Sequence, residues 1–204
     1  MHYFFDFDGT LADTEKDIKL AWRAAIEDLG LECPHFDKVY RTGPSINEIT
    51  KELFPSHPAI DALIAEIRRA FALRYDTSGF PSTAPYPGVE QWLKSLKSQG
   101  HKVYIATNKR CRALELILRK FGWDSWIDGW WTSDQNPANV RRKPVFLHDA
   151  LVERGIAPSD AVMIGDTKDD IEAGRANGLR TVAVAWGYGN PADLALADEI
   201  ITAI

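Results

Sequence analysis

Four short apolar runs recur along the chain, each closing on small or polar residues: YFFDFD at 3–8, KVYIATN at 102–108, AVMIGD at 161–166 and TVAVAWG at 181–187. They have strand length and no steady polar alternation, the pattern of strands covered on both faces of a parallel sheet. Between them the period changes. In GVEQWLKSLKSQG the apolar Val89, Trp92, Leu93 and Leu96 fall at helical spacing, with Gly100 as a natural stop. CRALELILRKFG repeats this with Leu114, Ile117, Leu118 and Phe121. Strand alternating with helix predicts an open α/β sheet.

One stretch breaks the alternation. Residues 14–83 carry no strand pattern and three helical ones. Ile18, Ala21, Trp22, Ala25, Ile26 and Leu29 line the first, with Gly30 after it. SINE at 45–48 has the form of a capping box opening the second. Ile60, Leu63, Ile64, Ile67 and Phe71 line the third, and SGFPSTAPYPG reads as a linker back to the sheet. The expected organisation is a core of residues 1–13 and 84–204, with an all-helical insertion, 14–83, directly after the first strand.

In an open α/β sheet the binding crevice lies beyond the carboxyl ends of the strands, and Asp6, Asp8, Thr107 and Asp166 fall at such ends. If YFFDFD is one strand, Asp6 and Asp8 share a face while Phe5 and Phe7 take the other. Two carboxylates that close repel unless a cation or a proton sits between them. Taken alone, the stretch also reads as a strand ending in an Asp-Gly turn. Lys143 precedes Pro144 in RRKP, a sequence suited to a helix start. Asp170 follows Asp166 by four residues in GDTKDD, as a further site carboxylate or as an acid favoured by the helix dipole.

Taken together, these residues resemble the haloacid dehalogenase superfamily of aspartate-nucleophile phosphohydrolases. DFDGTL, ATN, RKP and GDTKDD correspond, in order, to its four motifs and span residues 6–170. The helical stretch between the first two is similar to that superfamily's helical cap. YPGV, TNK, AGRANGLRTVAVAWGYG and ALADEII add similarity to the phosphoglycolate-phosphatase-like branch, although LADT stands where that branch usually shows LVDS. The resemblance implies a three-layer, Rossmann-like α/β core with the cap inserted after the first strand.

The chemistry such a set can perform is specific. A phosphate ester resists attack because its anionic oxygens repel a nucleophile and its alkoxide leaves poorly, and a divalent cation answers the first difficulty. Asp6, Asp166 and Asp170 suit Mg²⁺, which favours a few carboxylates with water and substrate oxygens. Asp6 is the expected nucleophile, forming an aspartyl-phosphate. Asp8 would protonate the leaving oxygen and then deprotonate the attacking water. Thr107 and Lys143 would hold the phosphoryl oxygens, helped by amides around Phe7 to Gly9. The resemblance adds the Asp8 main-chain carbonyl as a metal ligand, and Gly9 and Asn108 as substrate-binding positions. Arg41, with Thr42 and Ser45 in the insertion, reads either as reaching the substrate's leaving group or as part of a turn and N-cap.

Composition narrows the classes. At 204 residues, 45% hydrophobic and 26% charged, the chain has the make-up of a globular protein. A formal net charge of −5 gives no electrostatic reason to expect nucleic acid or an anionic membrane as partner. No segment reaches the ~18 apolar residues of a membrane span, and Cys33 and Cys111 match no metal or redox spacing, which points to a cytoplasmic protein. His2, His35, His57, His101 and His148 show no ligand spacing. The tryptophan-rich GWDSWIDGWW reads as filling between an edge strand and its helix, with base stacking as the alternative.

The expectation is therefore a Mg²⁺-dependent phosphatase acting on a small-molecule phosphate ester, phosphoglycolate leading. Sugar phosphates, nucleotides, pyrophosphate and a phosphomutase outcome stay open, as does oligomeric state. A haloacid dehalogenase proper would lack Asp8, because a halide leaves without a proton. A phospho-accepting receiver domain, the non-enzymatic rival, is similar to a single sheet of ~120 residues without a helical insertion.

Overall fold

A computed structural model describes residues 1–135 and 140–204. In chain order, β1 (His2–Phe5) and β2 (Ala12–Asp13) are followed by α1 (Glu15–Asp28), α2 (Phe36–Val39), α3 (Ile46–Leu53) and α4 (Ile60–Asp76). Then come β3 (Ala84–Pro85), α5 (Val89–Ser98), β4 (Lys102–Thr107), α6 (Cys111–Phe121), β5 (Gly129–Thr132) and α7 (Lys143–Arg154). The chain closes with β6 (Ala161–Gly165), α8 (Lys168–Ala176), β7 (Arg180–Val184), α9 (Pro191–Leu194) and β8 (Glu199–Ile201). It forms two compact units, Met1–Asp13 with Ala84–Ile204, and Thr14–Thr83.

The first unit is built on a six-stranded sheet of order β5-β4-β1-β6-β7-β8, with every pairing parallel. Phe4 and Phe5 are adjacent on β1 and therefore point to opposite faces, yet both are fully buried. Burial on both sides requires a helical layer over each face. Phe4 packs with Tyr104 and Trp131 of the sheet and with Phe146, Leu147 and Ala150 of α7. Phe5 meets Trp92 of α5 edge to face, with ring centroids 5.0 Å apart. The chain leaves β1 first toward β4 and later returns on its other side as β6. That reversal of direction opens a crevice at the carboxyl ends of β4, β1 and β6.

The expectation that YFFDFD is one strand needs correction. β1 stops at Phe5, and only the Asp6 amide continues the ladder, donating to the Ile164 carbonyl at 2.8 Å. The Phe7 carbonyl turns into a loop, where it accepts from the amides of Thr10, Leu11 and Ala12 at 3.3, 3.0 and 3.1 Å. Gly9 closes that loop at φ 84°, a left-handed conformation that costs a residue with a side chain. Asp6 and Asp8 therefore do not sit as neighbours on one strand face. A two-stranded antiparallel ribbon, β2 with β3, also appears where only a linker was expected.

In the tryptophan-rich segment, Trp123 and Trp131 are buried as core filling, and Trp126 and Trp130 are half-buried. Trp123 is fully buried against Phe7 and Phe121, and its indole N–H donates to Glu90 at 3.0 Å. Trp131 donates likewise to Glu153 at 3.1 Å. Each large ring thus keeps a partner for its polar end. Cys33 and Cys111 are free and partly buried.

In the helical unit α1 packs along α4, with Trp22 and Phe71 5.7 Å apart. The capping box over α3 is present: the Ser45 hydroxyl accepts from the Glu48 amide, and the Ser45 amide donates to the Glu48 carboxylate at 2.8 Å. Buried Asp17 accepts from the amides of Ser82 and Thr83 and from the Thr83 hydroxyl, which pins the end of the unit. Among the described residues, no helix is long and apolar enough to cross a membrane.

Candidate active site

Three strand ends and one helix start deliver polar and charged groups to the crevice. Asp6 follows β1, Thr107 ends β4, Asp166 follows β6, and Lys143 is the first residue of α7 with Pro144 behind it. Lys143 is 2% exposed and donates to Asp6 Oδ1 at 2.8 Å and to Asp170 Oδ1. Asp6, Asp166 and Asp170 are all buried and offer carboxylate oxygens within 4.8 Å of one another. Among the described residues they form the one such group able to hold a metal ion.

Each carboxylate is held by donors that fix its direction. Asp166 accepts from the Thr10 hydroxyl on Oδ1 and from the Tyr188 amide on Oδ2, both at 2.8 Å. Asp170 accepts the Thr167 amide at 2.9 Å and its hydroxyl at 2.6 Å on Oδ2, closing the capping box of α8, while Oδ1 takes Lys143. Asp170 thus caps α8 and also lies within the group of three carboxylates. Gly9 and Gly187 lie so close to Asp166 that a Cβ on either would overlap its carboxylate.

Burial is the main charge effect here. It raises the Asp6 pKa well above the usual carboxylate range, with Lys143 opposing and Asp170, Asp166 and Asp8 adding to the rise. It also pushes Asp166 up to about 7, reinforced by Asp170 and resisted by the Tyr188 amide and Thr10. Burial alone would lower Lys143, but Asp170 and Asp6 outweigh it and raise the ammonium's pKa instead. A second buried lysine, Lys109, donates to Asp8 Oδ1 at 2.7 Å. With all four ionised, Asp6, Asp8, Asp166 and Asp170 outnumber the two ammonium groups paired with them here, and it is this crowding with burial that raises the pKa of Asp6 and Asp166. A divalent cation would relieve that crowding, and an all-oxygen donor set suits Mg²⁺ rather than a soft metal. The residues present fit the ion.

The remaining expected positions are placed as follows. Thr107 is buried, and its Oγ1 accepts from the Lys109 amide at 3.2 Å. Asn108 is exposed and donates to Asp169 at 2.7 Å. The Gly9 amide donates to the Ala12 carbonyl at 3.0 Å, within the loop. Arg41 belongs to the helical unit, where its guanidinium grips Glu52 with both terminal nitrogens. Lys109, Thr10 and Tyr188 are the site residues the sequence reading missed. Thr10 and Lys109 stand inside quoted motifs, DFDGTL and TNK, whereas Tyr188 acts through its amide, which leaves no side-chain signature.

Comparison with known proteins shows the family and the fold. The profile of a family described as haloacid dehalogenase-like hydrolase matches residues 3–184. A phosphoglycolate phosphatase from Aquifex aeolicus is 30% identical over 189 residues, covering 90% of this chain and 84% of that protein. The tyrosine-protein kinase PtkA of Mycobacterium tuberculosis is 28% identical over 186 residues, 91% of this chain, and the chain spans only 62% of that kinase's length. The crystal structure of a predicted phosphatase from Clostridium acetobutylicum shares the fold, with a TM-score of 0.87 over 99% of this chain and 93% of that one at 23% identity.

Proposed function

The chain belongs to the haloacid dehalogenase-like hydrolase family, and from that premise we propose that it is a Mg²⁺-dependent phosphatase. It hydrolyses a small phosphomonoester through an aspartyl-phosphate on Asp6. The observation that carries this reading is the pattern of ion pairs at the crevice. Asp6, beyond the central strand, is held by Lys143 beside Asp166 and Asp170, while Asp8 is held separately by Lys109.

Asp6, Asp166 and Asp170 would hold the cation, with the Asp8 main-chain carbonyl as a further oxygen. When bound, it neutralises charge on the phosphoryl oxygens and on Asp6. Asp6 attacks phosphorus, and the bond from phosphorus to the leaving oxygen breaks as Asp8 gives that oxygen a proton. Asp8 then takes a proton from the water that opens the acyl-phosphate, which returns Asp6 and releases inorganic phosphate. The Thr107 hydroxyl and the Lys143 ammonium donate to the phosphoryl oxygens.

The phosphoglycolate phosphatase relative supports 2-phosphoglycolate as substrate, and the kinase relative makes the phosphoryl acceptor the point to test. Phosphate release is measured with Mg²⁺ over 2-phosphoglycolate, sugar phosphates, nucleotides and pyrophosphate, alongside transfer to a tyrosine peptide. Turnover of small monoesters to free phosphate is expected, with 2-phosphoglycolate among the best. Transfer to the peptide without phosphate release would overturn the reading.

The helical unit, residues 14–83, is the proposed cap, and Arg41 its proposed reader of a second anionic group. Arg41 would have to leave Glu52, an exposed pair worth only about 0.2–1 kcal/mol, so the exchange is cheap. Arg41→Ala is expected to raise KM about tenfold for 2-phosphoglycolate and hardly at all for p-nitrophenyl phosphate, since a hydrogen bond to a charged group in a site shielded from water is worth about 1.5–3 kcal/mol and a decade about 1.4 kcal/mol. Equal losses on both esters would assign Arg41 to the fold of the helical unit instead.

A further inference from the structure

Two buried lysines stand in the crevice, and the chemistry proposed above uses the charge of only one. We propose that Lys109 is a positioning residue that holds the Asp8 carboxylate outside the metal-binding triad, in the orientation that proton transfer requires. This rests on the phosphatase reading and deepens it.

The Lys109 side chain is 1% exposed, and a buried ammonium is expensive unless paired. It is paired with Asp8 Oδ1 at 2.7 Å, and its Nζ lies 5.5 Å from the centroid of the Phe7 ring. The flat face of that aromatic ring is a favourable neighbour for a cation. Phe7 is itself fully buried against Trp123, so the ammonium rests on a rigid wall. The position of the charge is thus set by packing as well as by the carboxylate it serves.

The consequence lies in what Asp8 does not do. The oxygens of Asp6, Asp166 and Asp170 gather within 4.8 Å, and Asp8 is not part of that group although it follows Asp6 by two residues. A carboxylate that near a dication gains Coulomb energy by swinging in to ligate it. An acid–base group captured in that way is lost to the leaving oxygen. Lys109 supplies a competing cation at hydrogen-bond distance.

Position 109 also acts through its backbone, in a way no side-chain change removes. The Lys109 amide donates to Thr107 Oγ1 at 3.2 Å. That hydroxyl, having accepted there, directs its own proton elsewhere, as a donor to a phosphoryl oxygen must. The amide is thus common to every variant at 109, and a cycle against Asp8 separates the share of any side-chain effect that passes through Asp8.

The test is a double-mutant cycle with Lys109→Met, Asp8→Asn and the pair, which reports coupling between residues in contact. Turnover is read with an alkyl phosphate, and Mg²⁺ affinity by calorimetry on the same proteins. A misplaced catalytic group costs about 10²-fold, so Lys109→Met is expected to lower kcat by about 10–100-fold with KM nearly unchanged. In the Asp8→Asn background the same change should cost less than about threefold, because the group it positions is already gone. Lys109→Arg, which keeps the charge, should recover most of the loss, and Mg²⁺ should bind Lys109→Met as tightly as wild type or tighter. An equal penalty in both backgrounds, or Mg²⁺ affinity falling in step with kcat, would overturn the proposal. The Gln variant carries the same cycle if the Met variant does not fold. If Asp8→Asn itself costs nothing, it is the reading of Asp8 as proton carrier that fails, and the role of Lys109 falls with it. A full Asp8 effect with an additive cycle removes Lys109 alone.

Discussion

Excess chelator should abolish turnover, and added Mg²⁺ should restore it. The reason is the charge held in the crevice. Buried together in the crevice, Asp6 and Asp170 pair with the ammonium of Lys143 and Asp8 pairs with that of Lys109, while Asp166 lies among the same carboxylates. A phosphate ester brings further negative charge to the same place. Lewis-acid neutralisation is worth several kcal/mol of transition-state stabilisation, and each decade of rate is about 1.4 kcal/mol. Loss of at least about 10³-fold is therefore expected. Ca²⁺ should bind, since the donors are all oxygen, but it prefers more ligands at longer distances and should support little turnover. Calorimetry adds a readout independent of rate: Asp166→Asn should weaken Mg²⁺ binding, because Asp166 is aimed at the triad by Thr10 and the Tyr188 amide. Undiminished activity in excess chelator would remove the metal from the proposal, and with it the reason for gathering these carboxylates.

The parts of the fold that were legible share a physical cause. The apolar runs at 3–8, 102–108, 161–166 and 181–187 became β1, β4, β6 and β7, which are adjacent in the middle of the sheet. Central strands are covered on both faces and must read as unbroken hydrophobic runs. β5 and β8 lie at the edges, where GWWT and EII are half exposed, and nothing in their pattern demands a strand. β2 and β3 have two residues each, too few to show any period. In the crevice, Asp6, Thr107 and Asp166 could be placed because strand ends are visible in sequence, and Lys143 because Lys-Pro marks a helix start. Lys109 could not, because its meaning depends on Asp8, 101 residues away. The strand was also read too far: Phe7 looks like its continuation, but its carbonyl is drawn into the loop that Gly9 closes. Apolar pattern reports burial, and Phe7 is buried without being in the sheet.

Asp6→Asn should eliminate turnover and, with it, any phosphoryl-enzyme, whereas Asp8→Asn should trap one. An amide in place of the Asp6 carboxylate has no anionic oxygen to attack phosphorus, so the first bond never forms. Lys143 would still have Asp170 as its partner, and the fold should stand. Asp8→Asn leaves that nucleophile intact and removes the proton carrier. General acid–base groups contribute about 10²–10⁴-fold, so both half-reactions with an alkyl phosphate should slow by that order. A nitrophenolate leaves without a proton, which spares the first half-reaction. Water still needs a base to attack the acyl-phosphate, so the second stays slow. With nitrophenyl phosphate, Asp8→Asn should therefore release a burst of nitrophenol and accumulate phosphoprotein. The label should be labile to hydroxylamine, as an acyl-phosphate is, and should map to Asp6. Label on Asp8, or an intermediate that still forms in Asp6→Asn, would exchange or remove the roles assigned to the two carboxylates. The separate lysines that hold them make the assignment physical. Asp6 shares Lys143 with Asp170 inside the triad, where a nucleophile can be neutralised by a cation, and Asp8 is drawn to Lys109, where a proton can be carried without competing for it.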